Sequence, residues 1–229
     1  MKQTHIKNVF FDLDHTLWDF DKNSELTFET IFNRNHPTIA TKEFIEKYVP
    51  INQACWALYQ YDKITHQELR YNRLKHSFDA LSYTISDEEI ETIADDYIRF
   101  LPDNNHLFDG TVELLEYLKP KYNLHIITNG FAEVQFKKLN NSKIGSYFQT
   151  ITNSEMAGVK KPNPIIFDYA LDLAKAKKEK SIMIGDSLEA DVQGALDAGL
   201  QAIFFNESKV QVEQHIIQIN HLLELKKYL

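Results

Sequence analysis

The chain is 229 residues long, with 43% apolar and 12% aromatic residues, which is enough for a packed core and too much for a disordered chain. Its 25 Lys and Arg against 33 Asp and Glu give a formal charge of −8, which argues against a nucleic-acid polymer or an anionic membrane surface as partner. One cysteine, Cys55, excludes an intrachain disulfide and a thiolate zinc cluster.

No stretch reaches the roughly 18 uninterrupted apolar residues of a membrane span. The opening MKQTHIKNVFFDLD lacks the apolar run of a signal peptide. A cytoplasmic protein is the expectation.

The first element is a short apolar run at 8–13 (NVFFDL). Three more follow at 124–129 (LHIITN), 181–186 (SIMIGD) and 201–206 (QAIFFN). Runs this short, nearly continuous and rich in β-branched or aromatic residues predict strands buried on both faces. Between the first and second lies a different region, residues 20–101. It shows no strand pattern and carries helical spacing, for example Ile51, Ala54, Leu58 and Tyr61, or Leu69, Arg73 and His76. Its many aromatics, Tyr48, Trp56, Tyr59, Tyr61, Tyr71, Phe78 and Tyr83 among them, are expected chiefly as its own core.

Helical patterns also separate the later strands. Val112, Leu115 and Leu118 share a stripe, as do Ile166, Ala170 and Leu173 behind Pro164, whose missing N–H is harmless at a helix start. A third helix, 189–198, stops at Gly199, a left-handed C-cap. The tail after Val212 reads as one helix, or as a short edge strand followed by a helix. Alternating strands and helices predict an α/β fold: a Rossmann-like parallel-sheet core of residues 1–19 and 102–229, with a helical cap, 20–101, inserted after the first strand.

The chemistry-bearing residues sit at strand ends, where open α/β sheets bind ligands. The first strand runs into 12–16 (DLDHT). Asp12 and Asp14, two apart on an extended segment, are expected to face one spot and to need a cation or a proton. The second strand ends in Thr128, Asn129 and Gly130, all able to donate hydrogen bonds to an oxyanion. Lys160 and Lys161 precede Pro162, which fixes the chain there. The SIMIGD strand ends in Asp186, with Asp191 in the first turn of the next helix. Each feature alone has an ordinary explanation as a turn, a capping acid or a surface charge. Their order does not.

With these four motifs in sequence, the chain resembles the haloacid dehalogenase superfamily of phosphohydrolases over essentially its whole length. The resemblance implies that Asp12 is the nucleophile, forming an aspartyl-phosphate. It implies that Asp14 is the general acid and then the base for water. Mg²⁺ would be the cofactor, held by the side chains of Asp12 and Asp186 and the main-chain carbonyl of Asp14. Asp191 would orient Lys161 or a water on the ion. Thr128 and the backbone around Leu13, Asn129 and Gly130 would bind the phosphate oxygens. Lys161, placed directly before the proline as in the family, would pair with Asp12 and the phosphate. Dehalogenases proper lack the second aspartate of the first motif, so the presence of Asp14 favours phosphoryl transfer.

Longer stretches resemble one branch, the bacterial pyrimidine 5′-nucleotidases. They are FFDLDHTLWDFD, ITNGF with Val134 and Gln135 behind it, GVKKPNPIIFDYAL, GDSLEADVQGALDAGL and, in the helical insert, INQACWALYQYDKIT with ELRYNRL. The implied substrate is a nucleoside 5′-monophosphate, with Phe20, Trp56 and Phe131 as candidate stacking surfaces for a base. The alternatives are a sugar-phosphate or phosphoglycolate phosphatase, a β-phosphoglucomutase-like isomerase, or a non-catalytic phospho-ligand binding module.

Overall fold

The computed structural model describes residues 5–229, which form two compact units. One comprises the described residues up to Asp19 together with Asn105–Leu229; the other is Phe20–Asn104.

The first unit is built on a six-stranded sheet: β1 (Asn8–Phe11), β2 (Asn123–Thr128), β3 (Thr150–Asn153), β4 (Ser181–Gly185), β5 (Gln201–Phe205) and β6 (Gln218–Ile219). The strand order is β3-β2-β1-β4-β5-β6 and every pairing is parallel. Parallel pairing follows from the helical crossovers, and it explains the unbroken apolar runs: β1 and β4 are buried at every position. In register, Phe11 of β1 lies opposite Ile126 of β2 and Ile184 of β4. The carboxyl ends of these three strands therefore reach the same edge together.

Two strands sharpen the sequence reading. The tail resolves as a short edge strand, β6, followed by a 3₁₀ helix at Leu222–Lys227. Strand β3 is not announced by an apolar run. It reads TITN, and its first two residues are only half-buried at the sheet edge.

The helix Pro164–Ala174 packs on the sheet through Ile166, Phe167 and Ala170, against Phe10, Ile127 and Met183. Each large apolar side chain fully buried here contributes about 1.5–3 kcal/mol. Leu173, expected on that stripe, is 41% exposed, and Phe167 and Leu171 face inward instead. On α5 (Thr111–Leu118), Val112 is likewise exposed, while Leu114, Leu115 and Leu118 are buried.

The second unit holds four helices: α1 (Phe20–Asn35), α2 (Thr41–Gln60), α3 (His66–Ala80) and α4 (Asp87–Phe100). Capping boxes Thr65/Glu68 and Ser86/Glu89 start α3 and α4. Phe28 stacks on Tyr97 and packs at steeper angles against Phe44 and Tyr48, at ring separations of 4.7–4.8 Å, and Phe32 and Phe78 extend the cluster. This aromatic core decides which face of α2 is inside. The buried face is Phe44, Tyr48, Asn52 and Cys55. The expected stripe is not: Leu58 and Tyr61 are exposed, Ala54 faces solvent and Ile51 is half-buried. On α3, Leu69 and Arg73 are buried as expected but His76 is exposed. No helix among the described residues is long and apolar enough to cross a membrane.

Candidate active site

Asp12 follows β1 directly, and its amide still donates to the Ile184 carbonyl of β4 at 2.9 Å. The chain then leaves the sheet. His15 takes a left-handed conformation (φ 59°), which His tolerates better than most non-glycine residues. The amides of Leu17 and Trp18 both donate to the Leu13 carbonyl, closing the turn. Thr16, completely buried, then donates its hydroxyl to Asp186 Oδ1 at 3.0 Å. Thus the first motif is tied to the end of β4 by a side-chain bond as well as by the ladder.

Lys161 is buried at 2% exposure, whereas Lys160 is half-buried. The Lys161 ammonium donates to Asp12 Oδ1 at 2.5 Å, to Asp191 Oδ1 at 2.6 Å and to the Ile127 carbonyl at 2.9 Å. Those three bonds engage all three of its protons. Asn129 latches the lysine's backbone in both directions: its Nδ2 donates to the Lys161 carbonyl at 3.0 Å, and the Lys161 amide donates to its Oδ1 at 2.8 Å. The Lys161–Pro162 peptide is cis.

Carboxylate oxygens from Asp12, Asp186 and Asp191 lie within 4.8 Å of one another. Three acids in that space face one ammonium. Burial, then the neighbouring Asp191 and Asp186, push the Asp12 carboxyl well above its ordinary range, against the opposing pull of Lys161. Burial and Asp191 raise Asp186 to about 7. Burial works against the Lys161 charge, but Asp12 and Asp191 outweigh it and hold its pKa above the usual lysine value. A compact set of hard oxygen donors with uncompensated negative charge fits a small divalent cation such as Mg²⁺. Asp191 has both oxygens engaged, since the Ser187 amide donates to its Oδ2 at 3.0 Å. Gly185 makes room for it: a Cβ there would overlap the Asp191 carboxylate.

Asp14 takes a different direction from Asp12. The helix α6 (Ala132–Asn141) supplies its partners: Lys138 donates to Oδ1 at 2.6 Å, and Gln135 donates to Oδ2 at 3.0 Å. The two aspartates thus have separate ion pairs, Asp12 with Lys161 and Asp14 with Lys138. Strand β1 ends at Phe11, so regular strand alternation does not extend through residues 12–14.

Thr128 is buried at the end of β2. Its Oγ1 accepts from the Gly130 amide at 3.1 Å and from Gln135 Nε2 at 2.7 Å, which leaves its own proton to donate. Leu13 is fully buried. Of the aromatic candidates, Phe20 opens α1 and is buried in the helical unit. Trp56 is half-buried and packs edge-on against Tyr59. Phe131, in the sheet unit, is half-buried just before α6.

Lys138 is not among the residues the sequence singles out, and Gln135 stands there only within the stretch behind ITNGF. A signal was present: both interrupt the inward stripe of Val134 and Leu139 with polar groups, and all four are buried.

Residues 9–205 match the family of haloacid dehalogenase-like hydrolases. The pyrimidine 5′-nucleotidase PynA of Streptococcus pneumoniae is 32% identical over 202 residues, covering 87% of this chain and 84% of that protein. The pyrimidine 5′-nucleotidase YjjG of Escherichia coli is 31% identical over 199 residues, covering 86% and 85%. A magnesium-bound crystal structure of the HAD-hydrolase YfnB from Bacillus subtilis superimposes with a TM-score of 0.87 at 28% identity, covering 97% of each chain.

Proposed function

This chain belongs to the haloacid dehalogenase-like hydrolases, and we propose that it is a Mg²⁺-dependent phosphomonoesterase that hydrolyses nucleoside 5′-monophosphates through an aspartyl-phosphate on Asp12. The observation that carries this reading is the convergence of Asp12, Asp186 and Asp191 around one buried lysine, at the edge where three parallel strands end.

Asp12 would attack phosphorus with one carboxylate oxygen as the bond from phosphorus to the ester oxygen breaks. Asp14 would give its proton to that leaving oxygen. Water would then attack the phosphorus of the aspartyl-phosphate, losing a proton to Asp14 as the bond to Asp12 breaks and inorganic phosphate forms. Asp14 thereby recovers the proton it gave.

Asp12 and Asp186, with the main-chain carbonyl of Asp14, would hold Mg²⁺. When bound, the ion would offset the repulsion between the acidic cluster and a phosphate dianion. Asp191, occupied by Lys161 and the Ser187 amide, would keep the lysine in place. Lys161 would fix one Asp12 oxygen so that the other is presented to the substrate, and its charge would favour the incoming phosphate. The free proton of Thr128 suits a non-bridging phosphate oxygen.

The nucleotide preference rests on the likeness to two pyrimidine 5′-nucleotidases. Comparing kcat/KM for uridine and thymidine monophosphate with phosphoglycolate and hexose phosphates tests it. The pyrimidine nucleotides should rank first. Uridine monophosphate no faster than the sugar phosphates would overturn the substrate assignment, while leaving the phosphatase reading intact.

A further inference from the structure

Asp14 is the residue this scheme asks most of, because it must meet the leaving oxygen in one step and water in the next. It lies beyond the last hydrogen bond of β1, on a turn, with its side chain 21% exposed. An aspartate on a turn has two free side-chain torsions. Something has to hold it.

Two residues do so from the sheet unit's own α6. Gln135 and Lys138 are three apart, so they share one helix face. They are 1% and 2% exposed, while Phe136 and Lys137 between them face solvent. Lys138 bonds one Asp14 oxygen and Gln135 the other. The Lys138 ammonium also lies 4.3 Å from the ring centroid of the fully buried Trp18, a cation–π contact that fixes where the charge sits. Gln135 divides its amide between Asp14 and the Thr128 hydroxyl, so it ties the first motif to the second. Gly130 keeps this arrangement possible, since a Cβ there would run into the Gln135 amide.

Burying an ammonium is costly unless it is paired and hydrogen-bonded. A solvent-facing position on the same helix, as Lys137 has, would avoid that cost. The burial of Lys138 is therefore informative. We propose that Lys138 and Gln135 are positioning residues that clamp the two oxygens of Asp14, so that one carboxyl group serves both proton transfers without re-sorting its rotamer. This rests on the reading of Asp14 as the proton carrier.

The clamp makes a prediction that a merely structural role does not. A misplaced Asp14 matters most when the leaving oxygen needs a proton, as an alkyl nucleotide ester does. It matters less for the release of p-nitrophenolate, which leaves unaided. Lys138→Met should lower kcat for uridine monophosphate by about 10²-fold, in the range assigned to a general acid–base group, with KM changed less than about threefold. With p-nitrophenyl phosphate it should give a burst of p-nitrophenolate, then slow turnover, because water activation also depends on Asp14. Lys138→Arg, which keeps the charge and its hydrogen bonds, should recover most of the loss. Gln135→Met should repeat the pattern more weakly, and Lys137→Ala should match wild type.

The readings fail separately. If Asp14→Asn turns over at the wild-type rate, the role of Asp14 falls and the clamp with it. If Asp14→Asn is crippled but Lys138→Met is not, only the clamp is wrong. Equal losses on alkyl and aryl esters without a burst, and without rescue by arginine, would also overturn it. Should Lys138→Met fail to fold, Gln135→Met carries the same comparison of alkyl and aryl esters, and its loss without a burst, or no loss at all, would overturn the clamp.

Discussion

Replacing Lys161 with methionine keeps the length of the side chain and removes its charge. The buried lysine bridges Asp12 and Asp191 and also holds the Ile127 carbonyl. The variant leaves three neighbouring acids with no cation among them. Breaking a buried ion pair by removing one partner costs about 3–5 kcal/mol, a large part of the roughly 5–15 kcal/mol that stabilises a domain. For a chain of 229 residues, at roughly 2–4 °C per kcal/mol, the melting temperature in EDTA should fall by about 6–20 °C. The assay is thermal unfolding by near-UV circular dichroism, with urea titration for the free energy. Asp191→Asn in the Lys161→Met background supplies the second arm. It removes one of the stranded charges, so the double variant should be at least as stable as Lys161→Met alone, and the two losses should not add. A Lys161→Met protein within about 1 kcal/mol of wild type, or strictly additive losses, would refute the reasoning.

His125 on β2 is buried against the Phe10 ring, and burial lowers its pKa to about 4. The unfolded chain then binds the extra proton between about pH 6.5 and 4, so this contribution to stability is lost as pH falls through that window. On going from pH 7 to pH 5, wild type should lose roughly 2 kcal/mol more than His125→Phe in urea titrations; equal losses would show that His125 is not the group responsible. Gly185→Ala places a methyl group on the Asp191 carboxylate. It should cost about 1–3 kcal/mol in urea unfolding and most of the p-nitrophenyl phosphatase activity, and an alanine variant as stable and active as wild type would contradict the packing at the end of β4.

Much of the sheet is legible because β1, β2, β4 and β5 sit between other elements, which requires apolar residues at nearly every position. Strand β3 lies at the edge, where its first two residues are half-buried and its buried end is polar Thr152 and Asn153, so no apolar run marks it. On α2, polar Asn52 lies among the buried residues while Leu58 is exposed, and no local pattern reveals that. The face is chosen by aromatic rings on α1, α3 and α4. At the site, Asp12, Thr128, Asp186 and Asp191 are legible because they lie at or just after strand ends, and Lys161 because it directly precedes a fixing proline. Lys138 and Gln135 are harder to read, because only their place on the stripe of Val134 and Leu139 separates them from solvated helix residues. Their place is given by Asp14, distant in sequence, which accepts a hydrogen bond from each of them.

In the proposed reaction Asp12 becomes phosphorylated. The direct measurement is mass spectrometry of Asp14→Ala protein, mixed with p-nitrophenyl phosphate and Mg²⁺ and quenched in acid, where removal of the water-activating group should let the intermediate accumulate. The peptide containing Asp12 should gain the mass of one phosphoryl group, discharged by hydroxylamine and absent from the Asp12→Asn/Asp14→Ala protein. Turnover by the single variant with no such peptide, or a phosphoryl group on any other residue, would contradict the proposed reaction.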